Sequence, residues 1–483
     1  MPQNNDPVLD LHEIQGDVLI GLQKNFEDFI FFKILNVPAF KAAMKQHVIG
    51  QITTTHEAHD RDQERKMRGK ATAPWLGLNV SFTKDGLTKL LGPDRAKLSA
   101  SFENGAEAAS LALNDPPPST WLSTFTSDTV HGVFFVTGPE ETFVTNHSQV
   151  LLDHLSDSVK VVYREMGNVR PDAEKGHEHF GFLDGVSQPG IRGLTQRSNP
   201  KLEPNQGLSG QDLIWPGEFV FGYPGQDSND PVKKGPPAMA ESWLRNGSFM
   251  VFRRLVQLVP EFNTFIKEQA DILGTDSELL ASRMVGRWRS GAPLLLAPLQ
   301  DNIALGKDPA LNNDFEYGSD PLQRACPYAA HIRKTNPRDD PNQNKAGVQT
   351  HRIIRAGIPF GPEVGQDEAT VTVRPRGLMF VCYQTSIEQQ FEFIQSTWAN
   401  NIDFVGGKTR PPGRGRGAVT PHFDPIIGQA SAREPRSMDE PVSNYPAGDT
   451  TSTLVMPNPW VVLTAAAYFF VPSITALREV LMT

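Results

Sequence analysis

The sequence predicts an α+β protein built from two sandwich domains. Strand-like apolar segments lead directly into helical patterns, and this order of elements occurs in both halves of the chain. With 483 residues, of which 39% are hydrophobic and 21% charged, the chain can bury a large core. These observations favour two packed α+β sandwiches over a single domain.

The first half alternates strands and helices. Residues 76–91 change from an extended apolar run to a helical pattern, which predicts a strand followed by a helix. Residues 131–138 contain an uninterrupted run of valine and phenylalanine, typical of a buried strand, and Pro139 then opens a helix. Residues 158–165 return as a strand, so two strand–helix units and a closing strand are predicted.

The second half has a similar order. Residues 248–258 are predicted as a strand, followed by helices over 260–273 and 277–288. Residues 377–383 are predicted as a further strand and 387–400 as a helix. We find no sequence repeat that would prove a duplication.

A stretch rich in proline, glycine and asparagine connects the two halves. It runs from residue 198 to residue 225 and carries strong turn signals. We therefore place the domain boundary within it and predict domains of residues 1–205 and 206–483.

Charge and hydropathy exclude two kinds of partner. The net charge of −9 and the isoelectric point near 5.8 argue against a nucleic acid, which requires a concentrated positive surface, and the one basic cluster, residues 408–416, is local. The longest late apolar run, residues 460–471, is shorter than the roughly 18 to 20 residues that span a bilayer. We expect neither a nucleic acid nor a membrane as partner.

Residues 181–185 hold one carboxylate, Asp184, between two glycines. Phe182 and Leu183 would keep water away from it, and glycine at both ends allows a large group to approach the backbone. A desolvated carboxyl group in such a place can carry protons. The same residues are also compatible with an ordinary turn.

Two later segments add a histidine and an arginine. In residues 326–337, His331 follows small residues and precedes a basic, turn-forming run, so it is a candidate ligand of haem iron. A hydrogen-bonded core histidine is the structural alternative. In residues 353–361, Arg355 lies between an apolar pair and a flexible glycine.

Together, these three segments resemble those of dye-decolorising peroxidases. These haem enzymes carry a GxxDG motif with the distal aspartate, a later histidine that ligates iron, and an arginine before a G-x-P-aromatic-G segment. Residues 14–22 and 376–383 also resemble the family, so the likeness spans most of the chain, and it is nearest to the fungal secreted branch. The resemblance implies two ferredoxin-like domains, with haem in a cavity of the C-terminal half.

The resemblance also implies the chemistry. Haem b would be held by His331, with Asp184 moving a proton between the oxygens of hydrogen peroxide and Arg355 stabilising the growing charge. The family then oxidises bulky aromatic substrates, such as anthraquinone-type dyes and phenolics, one electron at a time through a ferryl intermediate. Arg352 competes with Arg355 for the distal position. A haem-binding or haem iron-releasing protein without significant turnover is the alternative function, although Asp184 and Arg355 argue against it.

Further residues are expected around the haem. Asp424 is the candidate partner of the second His331 nitrogen, with Asp403 as the alternative. Leu378 and Phe380 alternate on a strand, so they share one face and match the family's distal pocket wall, although a core strand would look the same. Two basic residues after the histidine are expected to meet the haem propionates, with Arg333 ahead of Lys334.

Trp398 matches a surface aromatic that relays electrons in some members of the family. Its spacing with Ile387, Phe391 and Ile394 places it on the apolar face of a helix, so a core role is equally compatible. Where some members carry an oxidisable tyrosine, this chain has Phe360, which makes Trp398 more important if a relay exists.

Localisation and assembly are less constrained. The first residues lack the pattern of a signal peptide, so the protein is expected either to be intracellular or to have lost a leader. The resemblance and the sequons at Asn79, Asn146 and Asn246 favour secretion. The oligomeric state is left open between monomer and homodimer.

Overall fold

The computed structural model describes residues 6–68, 75–126, 129–196, 205–238, 241–409, 419–429, 435–441 and 451–483. Within these residues, no helix is both long and apolar enough to cross a membrane.

The first half contains four long strands with helices between them. Its strands are β1 (Phe26–Ile34), β2 (Gly77–Phe82), β3 (Gly132–Gly138) and β4 (Val159–Asn168). Its helices are α1 (Gly16–Leu19), α2 (Val37–Ala43), α3 (Thr55–Arg68), α4 (Lys84–Leu91), α5 (Ala100–Ala109) and α6 (Glu141–Leu155).

The second half is longer and more irregular. Its strands are β5 (Gly190–Ile191), β6 (Leu213–Ile214), β7 (Pro224–Gln226), β8 (Lys234–Pro237), β9 (Ser248–Gln257), β10 (Ile354–Arg355), β11 (Ile358–Phe360), β12 (Gly377–Gln384), β13 (Arg436–Pro441), β14 (Thr451–Met456) and β15 (Val461–Val471). Its α-helices are α7 (Val259–Leu273), α8 (Ser277–Val285), α9 (Ile303–Gly306), α10 (His331–Thr335), α11 (Lys345–Gln349) and α12 (Ile474–Ala476). The segments Glu388–Glu392 and Ile394–Ala399 form one π-type helical stretch, called the 388–399 helix below.

Each half forms a four-stranded sheet with the same order. The first half reads β4-β1-β3-β2 and the second β15-β9-β12-β11, which is the ferredoxin-like order in both cases. The pairs Phe360–Gly167 and Phe470–Phe82 join the two sheets into a closed barrel. The α+β class with two ferredoxin-like halves is therefore confirmed, whereas the boundary at residue 205 stays a prediction.

The predicted elements agree with the structure except at one helix end. The helix predicted over 277–288 stops at Val285, because Gly286 takes a left-handed backbone with φ 96°. A side chain at Gly286 would collide with Ile332, so the glycine both ends the helix and admits the segment that carries His331.

Side chains of both halves fill the barrel. Phe31 of β1 lies 4.9 Å from Phe252 of β9, measured between ring centroids, and both are buried. Since successive side chains on a strand alternate between faces, the outer face of the same sheet carries Phe32 of β1 and Phe380 of β12. A cavity lies on this outer face, against the strands of the second half.

Candidate active site

A cavity of about 280 Å³ lies against the outer face of β9 and β12. Leu378 and Phe380 form part of its wall, as do Leu255 and Arg253, which pair with them across the two strands. The 388–399 helix and the long connection from α8 to β10 cover the other sides. The two wall residues predicted on β12 thus lie at the cavity, while their contact with haem stays a prediction.

Asp184 lies on a loop that is held together by a second carboxylate. The half-buried Glu178 side chain accepts the backbone N–H groups of Phe180 at 2.9 Å and Phe182 at 2.8 Å. Gly181 and Gly185 both have positive φ, at 90° and 73°, which explains the glycine at each end. The loop is therefore a constrained element of the cavity wall and more than a simple turn.

Arg355 lies beside this carboxylate. Its Nη1 donates to Asp184 Oδ1 at 2.7 Å, and its Nη2 donates to the carbonyl of Ser187 at 3.4 Å. Burial works against ionisation of Asp184, but Arg355 and the Gly185 N–H outweigh it and hold the pKa of Asp184 below its ordinary value. The sequence predicted a desolvated carboxyl group, but the Asp184 side chain is 37% exposed and ionised.

The competing arginine is placed differently. Arg352 also lines the cavity, but its Nη1 lies 3.7 Å from Asp212 Oδ2. Burial lowers the pKa of Arg352 to about 10. Arg355 is therefore the arginine that contacts Asp184.

His331 begins helix α10 and lines the same cavity. Its Nδ1 is 2.8 Å from Oδ2 of Asp424, a fully buried residue. The other oxygen of Asp424 accepts the N–H groups of Ile426 and Ile427, so the carboxylate is fixed and the imidazole Nδ1 is the donor. Asp403, the alternative partner, is exposed. Nε2 of His331 is left for a ligand.

The two groups of residues influence each other through the cavity. Burial opposes a positive charge on His331, but Asp424 outweighs burial and raises its pKa, while Arg355 lowers it and Asp184 raises it by smaller amounts. His331 therefore lies within electrostatic reach of the acid and the arginine.

The expectation for Arg333 and Lys334 needs correction. Arg333 is fully buried and donates to Asp340 at 2.6 Å and to the Cys326 carbonyl at 2.7 Å, outside the cavity lining. Lys334 donates to the Asn401 carbonyl at 2.8 Å. Two residues along a helix differ by about 200° in direction, so the helix that presents His331 to the cavity turns Arg333 away from it.

Besides Arg253, two further arginines line the cavity, and neither of them was predicted from the sequence. Arg287 donates to the neutral oxygens of Gly291, Asn312 and Asn313, and burial together with Arg338 lowers its pKa to about 9. Arg338 lines the same region. Because the hydrogen-bond partners of Arg287 are neutral, its positive charge is not compensated by them and would favour binding of an anionic group in the cavity. Only the folded course of residues 286–353 brings them there, so single motifs gave no signal.

Trp398 is a core residue by position. It is 4% exposed and stacks on Phe404 with ring centroids 5.3 Å apart, so of the two placements compatible with its spacing the structure shows the core one. Its ring also lies 5.2 Å from that of His351, which lines the cavity. An electron relay through Trp398 stays a prediction.

A histidine that faces an acid and an arginine in a partly apolar cavity is typical of enzymes that use haem for redox chemistry. The family model "DyP dimeric alpha+beta barrel domain" matches residues 13–171, and the model "Dyp-type peroxidase, C-terminal" matches residues 226–407. The chain belongs to the Dyp-type peroxidase family.

Individual relatives are similar to this protein in sequence or structure over almost the whole chain. Peroxidase 2 of Mycetinis scorodonius is 37% identical over 98% of this chain and 88% of its own length. The structure of an ancestral D-type dye-decolorizing peroxidase has a TM-score of 0.83, 39% identity, and coverage of 98% of this chain and 100% of its own. A dye-decolorizing peroxidase in complex with 2,6-dimethoxyphenol has a TM-score of 0.81, 34% identity, and coverage of 99% and 100%.

Proposed function

We propose that this protein is a haem b peroxidase that reduces hydrogen peroxide and oxidises bulky aromatic compounds. The observation that carries the proposal is the Asp184–Arg355 pair, 2.7 Å apart, in the cavity that His331 also lines. Membership of the Dyp-type peroxidase family supports the same reaction.

The residues of the cavity fit haem. His331 keeps Nε2 for the iron, because Asp424 engages Nδ1 and makes the imidazole a stronger donor. The cationic wall at Arg287 and Arg338 suits the two propionates, and the buried Tyr317 hydroxyl in the lining has no hydrogen-bond partner within the described residues. Bound haem would supply an iron centre that reacts with peroxide and takes electrons from the reductant.

Asp184 supplies the acid–base step. Both Arg355 and the Gly185 N–H donate to its Oδ1, which leaves Oδ2 to accept the first proton of hydrogen peroxide. The same carboxyl group then delivers that proton to the oxygen that leaves as water. The lowered pKa of Asp184 ensures that the group starts ionised.

Arg355 stays cationic and binds the peroxide anion, because a guanidinium does not lose its proton in this range. Its charge also stabilises the negative charge that develops on the leaving oxygen. A protein that only binds haem, or only releases its iron, has no use for such an ionised acid beside a fixed cation. The peroxidase function is therefore favoured over that alternative.

Phenolic compounds and anthraquinone-type dyes are the proposed reductants. A related dye-decolorizing peroxidase has been solved with 2,6-dimethoxyphenol, which supports phenolic substrates here. Substrates too large for the cavity would require electron transfer through the protein. Trp398 is the proposed relay, since its aromatic neighbour His351 lines the cavity.

Three further points belong to the proposal. The domains are residues 1–205 and 206–483, the protein is secreted, and it acts as a monomer or homodimer. Secretion rests on the resemblance, because two of the three sequons lie at buried residues, Asn79 and Asn246, and Asn146 alone of the three is exposed.

The Asp184→Asn variant tests the proposal. It should bind haem as the wild type does but react with hydrogen peroxide about a hundredfold more slowly or worse, because the proton acceptor is lost. Stopped-flow absorbance measures the reaction, with the exposed Asp94→Asn variant as a control. Full reactivity of Asp184→Asn at every pH would show that the acid role is wrong.

A further inference from the structure

The Gln188 side chain forms two hydrogen bonds with the backbone of Arg355. Its Nε2 donates to the Arg355 carbonyl at 2.6 Å, and its Oε1 accepts from the Arg355 N–H at 3.3 Å. An amide that pairs with both backbone groups of one residue does what a neighbouring strand would do. Strand β10, which carries Arg355, is two residues long and pairs with β12. Gln188 therefore supplies hydrogen bonds that a longer sheet would otherwise provide.

Gln188 belongs to the loop that carries Asp184, so one short segment holds Arg355 at both ends. Asp184 and the Ser187 carbonyl bind the guanidinium, while Gln188 binds the backbone. The Gln188 carbonyl in turn accepts from the Gln211 side chain at 3.2 Å. The positions of the acid and the arginine are thus linked through residues 184–188.

The two attachments respond differently when Asp184 takes a proton. The contact between Asp184 and Arg355 is charge-assisted, and it weakens once the carboxylate becomes neutral. The hydrogen bonds of Gln188 join neutral groups and do not depend on the charge of Asp184. Arg355 would therefore keep its place during the step in which its ion pair is lost.

We propose that Gln188 positions Arg355. By holding the Arg355 backbone, Gln188 keeps the guanidinium at the Asp184 loop while Asp184 changes its protonation state. The inference rests on the proposed function, because it requires Arg355 to act on an anion in the cavity.

A double-mutant cycle on the haem-loaded full-length protein tests it. The variants are Gln188→Ala, Arg355→Leu and their combination, with Gln188→Glu as a variant that keeps the side-chain size but loses the donor. Fluoride is the anionic probe, and its dissociation constant is read from the visible spectrum. The rate of reaction with hydrogen peroxide is measured separately by stopped flow.

Gln188→Ala and Gln188→Glu should each keep the Soret band and weaken fluoride binding about tenfold, with a similar loss in peroxide reactivity. In the Arg355→Leu background, Gln188→Ala should add nothing, because the residue it positions is gone. Gln149→Ala, which changes an exposed glutamine of helix α6 and touches neither residues 184–188 nor Arg355, should stay within twofold of the wild type.

Several results would overturn the inference. Fluoride affinity and peroxide reactivity could remain unchanged in both Gln188 variants while Arg355→Leu weakens both. The Gln188→Ala loss could also persist in the Arg355→Leu background, which would reveal an effect that does not act through Arg355. It could also appear equally in the Gln149→Ala control. Unchanged behaviour of Arg355→Leu itself would instead overturn the proposed role of Arg355, and this inference with it.

Discussion

The two halves of the molecule share a strand order but use its outer face differently. In the first half, Phe32 and Phe134 are fully buried, and Val144 and Leu151 of α6 belong to the same apolar cluster. In the second half, the corresponding face carries Leu378 and Phe380, which border an open cavity. In the first half, called the filled half below, helix side chains pack directly on the sheet. In the second half, called the open half below, a cavity separates the sheet from the segments that cover it.

A long connection accounts for the difference. Between the first two strands of the sheet, the chain runs through residues 35–76 in the first half but through residues 258–353 in the second. The longer connection brings His331, Arg287 and Arg338 to the cavity wall. The same sheet order can therefore serve as a scaffold or as a site, depending on what is inserted between its strands.

The largest expected difference concerns stability. Phe134→Ala in the filled half should lower the free energy of unfolding by about 3 to 5 kcal/mol, because the ring is fully buried and stacks on Phe32 at 4.8 Å. Phe380→Ala should cost about 1 to 2 kcal/mol in the haem-free chain, since part of that ring already faces the cavity. Urea denaturation of both variants makes the comparison, and equal losses would break the contrast between the halves.

A second prediction concerns the anchor of the inserted connection. Asp424→Asn should weaken haem binding about tenfold to a hundredfold, because the imidazole of His331 loses a charged acceptor at 2.8 Å. Titration with haemin, followed at the Soret band, gives the affinity. Asp403→Asn changes an exposed aspartate and serves as the control. An unaltered haem affinity in Asp424→Asn would show that the hydrogen bond from His331 to Asp424 does not contribute to haem binding.

A third prediction concerns the junction of the halves, where His179 contacts the Phe360 carbonyl at 2.9 Å. Burial lowers the pKa of His179 from 6.5 to about 4. Between pH 6.5 and about pH 4, His179 is therefore protonated in the unfolded chain but neutral in the folded protein. The free energy of unfolding falls as the pH decreases through this range. Between pH 7 and pH 5 the loss from this residue should be about 2 kcal/mol.

His179→Gln removes the titrating group and keeps a possible donor to Phe360. Its free energy of unfolding should therefore vary less with pH than that of the wild type over the same range. Denaturation curves at several pH values measure both slopes, and identical slopes would show that His179 does not contribute.

The smallest expected effect concerns Trp398. Trp398→Phe should slow oxidation of an anthraquinone dye several-fold and leave small phenols unaffected, because small reductants can enter the cavity directly. Trp121→Phe, a buried tryptophan in the filled half, is the matched control. Steady-state turnover of both substrates gives the answer, and equal losses on dye and phenol would indicate a packing role.

Much of the fold was predictable, but two strands that are buried on both faces, β1 and β15, were not. Neither β1 nor β15 was predicted as a strand, although each pairs with a neighbouring strand on both sides within the barrel wall. Their residues are buried on the inner and the outer face, so they read as apolar runs without the alternation that marks a half-exposed strand. The strands β3 and β9 were found because turn signals bound them clearly.

A site residue was predictable where a single local motif contains both that residue and the neighbours that characterise it. Asp184, Arg355 and His331 came from local motifs, and the structure brings all three to one cavity. Arg338 depended on the path of the inserted connection, which no local pattern reveals. Arg333 was misplaced because its neighbour in sequence, His331, lies on a different face of the helix.

The central claim is that the open half binds haem between His331 and the Asp184–Arg355 pair and uses it to turn over peroxide. The most direct measurement is the visible spectrum of the haem-loaded protein before and after one equivalent of hydrogen peroxide, followed by 2,6-dimethoxyphenol. We predict a Soret band that shifts and loses intensity when peroxide is added and recovers when the phenol is added. A Soret band that peroxide leaves unchanged would contradict it and favour a protein that only binds haem.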